Sequence, residues 1–188
     1  MERYFLYLRN GKFKPSDAPD LLCEARTRIS EKDDVVLRDL RIAKQFIELD
    51  ISVSGYAVLE QAIGALSYIG ELQSLEKIAE ENLSKMEALD KAQELFNSER
   101  YWKTHEVLEN VWKRSDGREK QLLNGIILVA AALVHSQKAE DEICLGILNR
   151  AYHKLENGSG SFHGINIDSL KAEIKKILDS GTITRLTL

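Results

Sequence analysis

The residues best equipped for chemistry lie in Tyr101-Trp102-Lys103-Thr104-His105-Glu106-Val107-Leu108-Glu109-Asn110-Val111-Trp112. An imidazole and a carboxylate four residues apart on a helix are neighbours, so His105 and Glu109 could share a hydrogen bond, a metal ion or a proton. At about 100° per residue, Tyr101, His105, Leu108 and Trp112 fall on one stripe, with Glu109 at its edge and Glu106 turned away. Polar groups set into an apolar stripe cost free energy unless they find partners. Three chemistries meet that demand: a buried hydrogen-bonded pair that fixes helix register under Trp112, a metal or small-ligand site, and proton transfer.

The metal reading needs more donors than this helix supplies, because zinc sites take at least three protein ligands. If this helix and the next form an antiparallel hairpin turning near Asp116, His105 faces Ile127 and Leu128, and Glu109 faces Leu123. His135 then lies on the order of 10 Å along the axis from His105, too far to share an ion. Asn124 is the best remaining polar candidate. The expected polar network is therefore His105, Glu109, Trp112, Tyr101 and Asn124, with His105 and Glu109 as the ligands if a divalent metal is the cofactor. The run HEVLE is not the HExxH of a zinc protease, and no glycine-rich phosphate loop or nucleophile turn occurs.

Composition narrows the classes. The 188 residues suffice for one large or two small domains, and 44% hydrophobic with 30% charged residues suits a folded chain. A net charge of −4 argues against a general phosphate-binding surface, so nucleic acid is an unexpected partner. Phe5, Tyr7 and Phe46 could form an exposed aromatic sheet face, but Glu48 and Asp50 share it and oppose phosphates. Cys23 and Cys144 each read as a buried free thiol on the apolar side of a helix, which suits a reducing cytoplasm. The longest apolar run, Ile126 to Val134, is too short to span a bilayer, and the beginning of the chain lacks a signal-peptide pattern.

These residues must be positioned by two kinds of structure. Tyr4, Leu6 and Leu8 alternate as a strand, and Leu21, Leu22, Ala25 and Ile29 give a helical stripe after Pro15. Ile47, Leu49, Ile51 and Val53 alternate with Glu48, Asp50 and Ser52 in the clearest strand. Val35 to Lys44 suits either strand or helix; strand is chosen because Ile47 onward needs a pairing partner. Gly55 to Tyr68 reads as a helix and Leu72 to Ile78 as a last strand. The order strand, helix, strand, strand, helix, strand is ferredoxin-like, an α+β domain over residues 1–82. From Ser84 all elements are helical, about five of them over residues 83–188. Ser84-Lys85-Met86-Glu87 is a capping box, and Asp116 to Glu119 a looser one. Gly158-Ser159-Gly160-Ser161 reads as a flexible loop, and the stretch from Ala79 to Ser84 as a charged, helical linker.

Leu95-Phe96-Asn97, the Tyr101–Trp112 stretch and Asn124-Gly125-Ile126-Ile127-Leu128 to His135 resemble the domain of unknown function 309 family, small helical proteins of bacteria and archaea. The likeness covers about residues 86–156 and rests on the His105–Glu109–Trp112 spacing with Asn97 and Tyr101 beside it. It implies a site, with metal binding the usual suggestion, and names no reaction. Leu128 stands where the family's third helix typically carries Gln.

The sequence thus favours a cytoplasmic binding or scaffolding protein over an enzyme, with a metal-dependent hydrolase as the alternative. A homodimer through the helical domain is the expected partner. Its basis is the helix from Arg118 to Gln137, apolar around much of its circumference and so either enclosed by its own bundle or shared with a second chain.

Overall fold

The computed structural model describes residues 1–29, 34–79 and 83–188. Its first unit is built of β1 (Glu2–Arg9), α1 (Ala18–Ile29), β2 (Val35–Ile42), β3 (Phe46–Val53), α2 (Tyr56–Leu66) and β4 (Leu72–Lys77). The sheet order is β2-β3-β1-β4, antiparallel throughout. Both helices connect strands that skip one position, which is the ferredoxin-like split βαβ arrangement. Pro15 forces Lys14 into an extended conformation, and the chain enters α1 through a single tight turn. One sheet face, with Leu6, Leu8, Leu37, Ile47, Leu49 and Ile51, packs with Leu21 and Ala25 of α1 and Leu59, Ala62 and Leu66 of α2.

The ambiguity of Val35 to Lys44 has a physical origin. The register passes from Leu37 opposite Ile51 to Asp39 opposite Asp50, so Arg38 is an extra residue. This bulge flips the inward parity and lets Leu37 and Leu40, three apart, both be buried. A helical spacing is thereby written into a strand.

The opposite sheet face is not open. Phe5 and Tyr7 are buried, as are Glu48, Asp50, Ser52 and Arg41, so the aromatic face expected to be exposed is closed off. Its charges are paired, as burial requires. Arg3 makes two bonds to the Asp50 carboxylate, at 2.8 and 2.6 Å. Arg41 holds Glu48 and, at 3.0 Å, Asp39, and Arg38 donates to the Ser52 hydroxyl.

The second unit holds α3 (Lys85–Asn97), α4 (Tyr101–Lys113), α5 (Gly117–Ser136), α6 (Asp141–Leu155) and α7 (Ile167–Ser180). Between α6 and α7 a two-residue ladder pairs β5 (Ser161–Phe162) with β6 (Ile165–Asn166). The chain is thus α+β: among the described residues, a four-stranded antiparallel sheet with helices is followed by five helices. The capping box at Ser84 forms in full, each residue's side chain accepting the other's N–H. The Gly-Ser-Gly-Ser stretch is held by specific bonds: Gly160 donates to Asp168, and the Gly158 carbonyl accepts from Lys171. The helical linker expectation falls on Glu80 to Asn82, outside the described residues.

The central helix is α5, which packs against both α4 and α6. Of its apolar residues from Leu122 to Val134 only Leu128 and Ala131 are less than fully buried, and both pack against the same core. Enclosure therefore accounts for its apolar circumference without a second chain. Gly125 permits close approach to α6: a Cβ there would lie 2.6 Å from Leu155 Cγ and Cδ2.

Cys144 is buried as expected, whereas Cys23 is exposed. The buried line of α1 runs through Ala18, Leu21 and Ala25. Cys23, two residues after Leu21, points the other way.

Candidate functional site

The buried side of α4 is Tyr101, Lys103, Thr104, Val107, Leu108 and Val111. This line is rotated by about one residue from the stripe expected through His105 and Trp112. Thr104 is the cause. It is completely buried, because its hydroxyl donates to the Arg100 carbonyl at 3.0 Å and needs no outside partner. Counting threonine as a solvent residue tilts the predicted face. His105, Glu109 and Trp112 consequently sit half-buried at the margin of the helix.

The ring of His105 lies against Trp102. Their rings stack with centroids 5.5 Å apart and planes 7° from parallel. The indole N–H of Trp102 donates to Glu106 at 3.1 Å, so Glu106, assigned to the far side, is tied to the same patch. His105 Nδ1 is sealed from solvent and has no hydrogen-bond partner among the described residues. Burial pushes the His105 pKa below its ordinary value; Glu109 pulls it up and Lys113 down. Glu109 influences the imidazole by its charge. Its ion pair is with Lys113, at 3.7 Å on the exposed side of the helix. Among the described residues no hydrogen bond joins His105 to Glu109, so the expected buried pair is replaced by an aromatic stack with a carboxylate nearby. Trp112 packs against the core and carries Lys120 Nζ 4.7 Å above its ring. Asn124 is half-buried on α5, and no hydrogen bond links it to His105 or Glu109 among the described residues.

The donor set does not assemble a metal centre. Among the described residues no group of three or more His, Cys, Asp or Glu side chains could hold an ion. His105 and Glu109 supply at most two donors, and the Nδ1 of His105 is sealed from solvent. His135 is engaged elsewhere, its Nδ1 2.5 Å from Glu140 at the α5–α6 corner.

Tyr101 and Asn97 belong to a different cluster. Tyr101 packs edge-on against Phe96, with centroids 5.1 Å apart. Its hydroxyl pKa is raised, first by burial and then by Glu99, with Arg185 acting in the opposite sense. The Asn97 side chain reaches across to Leu188, accepting from its N–H and donating to its main-chain oxygen, both at 3.0 Å. Sequence reasoning had no signal for this pairing: the partners are 91 residues apart, and 182–188 carries no regular pattern.

The two units define a ferredoxin-like α+β domain followed by a helical domain marked by the His105–Glu109–Trp112 spacing. The family model for the domain of unknown function DUF309 matches residues 89–146, so this stretch of the helical unit belongs to that family. An uncharacterized protein of Aquifex aeolicus (strain VF5) is 25% identical over 129 residues, 68% of this chain. The aligned part spans 37% of that relative's own length. The crystal structure of a conserved hypothetical protein from Thermus thermophilus is 33% identical, with a TM-score of 0.43. That match covers 48% of this chain and 95% of the other. Among the described residues no helix is long and apolar enough to cross a membrane.

Proposed function

We propose that the protein is a binding or scaffolding protein whose helical domain presents a polar and aromatic patch on α4, centred on His105 and Glu109. The observation that carries this reading is the Trp102–His105 stack. The two rings form a stacked, half-buried pair flanked by the carboxylates of Glu106 and Glu109. Such a pair suits contact with a partner surface, where an aromatic ring supplies area at low entropic cost and acids at the rim supply orientation. A homodimer through this patch of the helical domain, rather than through the enclosed α5, and a cytoplasmic setting belong to the proposal.

The alternative is a metal-dependent hydrolase with His105 and Glu109 as ligands. It would require at least one further ligand, because among the described residues no group of three or more His, Cys, Asp or Glu side chains could hold an ion. Elemental analysis of protein purified without chelator or affinity-tag metal separates the two readings. The binding reading expects less than about a tenth of an equivalent of zinc, iron or manganese per chain. A stoichiometric metal that disappears in His105→Ala would overturn it.

A further inference from the structure

The corner between α3 and α4 holds a segment of the chain in the way a recognition domain holds a peptide. Residues 182–188 form neither helix nor strand. Leu186 nevertheless is completely buried in the helical core, with Ile183 and Leu188 packed against the same core. The Asn97 amide supplies one acceptor and one donor to a single residue, Leu188. That pattern reads main chain as a neighbouring strand would, whatever the side chain.

Arg185 completes the attachment. Its guanidinium donates to the Asn97 carbonyl in the last turn of α3, a group the helix itself leaves without a partner. Its Nε lies 3.7 Å from Glu99. Glu99 is the residue that ends α3. Glu99 N–H bonds the Phe96 carbonyl and Arg100 N–H the Leu95 carbonyl, which makes Glu99 the left-handed position of a Schellman turn at φ 65°. Glycine is favoured there, and the side chain present instead is a carboxylate turned to the arginine of the docked segment.

We propose that this corner is a binding site for an extended peptide of the pattern apolar-x-Arg-Leu-x-Leu, and that residues 182–188 are its resident occupant in cis. Asn97 reads the backbone, the apolar pocket reads the leucine, and Glu99 with the α3 carboxyl end reads the arginine. A partner carrying the same pattern competes with the chain's own segment, so the resident segment sets the threshold for binding in trans. The site stands independently of the patch around His105.

The test uses the full chain carrying Leu186→Asp, whose segment can no longer enter the pocket. The probe is a fluorescein-labelled peptide of the sequence Thr182 to Leu188, followed by anisotropy. The folded variant is expected to bind the peptide saturably and at least tenfold more tightly than the unaltered chain. Adding Asn97→Ala should weaken that binding at least tenfold. If Leu186→Asp does not melt cooperatively, Leu186→Ala carries the same measurement. A folded variant that fails to bind, or that binds equally well with and without Asn97→Ala, would overturn the proposal.

Discussion

Two glycines in neighbouring helices should respond to the same substitution with opposite sign. Gly125 lies in α5 and Gly146 in α6, both within helix interiors. Alanine at either position gains about 0.5–1 kcal/mol from reduced backbone freedom in the unfolded chain. At Gly146 a Cβ meets nothing within 4 Å, so that gain should be realised whole. At Gly125 the Cβ would sit 2.6 Å from two carbons of Leu155, which is itself completely buried. Leu155 must move inside a packed core, and overpacking of this kind costs about 1–3 kcal/mol. Gly125→Ala should therefore destabilise by about 1–2 kcal/mol net, while Gly146→Ala stabilises by up to about 1 kcal/mol. Urea unfolding measures both, with the midpoint moving and the slope unchanged. The close approach of α5 and α6 is refuted if Gly125→Ala matches or exceeds the wild type in stability while Gly146→Ala gains as expected.

The depressed pKa of His105 makes a prediction about acid. Its folded value lies below the unfolded one, so its neutral form is favoured in the folded state. Stability should decline as pH falls below about 6.5 and level off once the folded imidazole also protonates. The difference between wild type and His105→Gln isolates this from the other histidines; a difference that stays flat from about pH 8 to about pH 5 would contradict it. The geometry also predicts weak coupling between His105 and Glu109. Glu109→Ala should cost less than about 0.5 kcal/mol, since its side chain is 43% exposed and its partner Lys113 is exposed too. A double-mutant cycle with His105→Ala should show an interaction below about 0.5 kcal/mol, and a coupling near about 2 kcal/mol would restore the hydrogen-bonded pair.

The architecture was legible because each element repeats its pattern several times. Alternation from Ile47 to Val53 and helical spacing through Cys144, Ile147, Leu148, Ala151 and Leu155 each average over local exceptions. The misreadings trace to single residues whose behaviour depends on one contact. Arg38 shifts the phase of β2, Thr104 turns α4, and Cys23 lies on the side of its helix opposite the buried line. The two-residue ladder between α6 and α7 is too short to leave any period. The motif on α4 was legible as a family signature, but the contacts of its side chains were not. Stacking of Trp102 on His105 depends on rotamers that spacing does not encode. The docking of Leu188 on Asn97 is a meeting of distant residues with no sequence rule behind it.

The order of strands in the sheet has a consequence for how the chain acquires its structure. The inner strand β1 pairs with β3 and β4 and with no immediate neighbour in sequence, so Leu6 must wait for Leu49 and Leu75. In the helical unit each helix packs on the next one along the chain, α3 on α4 through to α6 on α7. Local pairing closes short loops and long-range pairing closes long ones, and folding rates fall with that distance. The helical unit is therefore the faster of the two to assemble most of its core. Within it the meeting of Leu188 with Asn97 is the long closure, so the peptide-like segment is placed to arrive after the pocket it fills has formed.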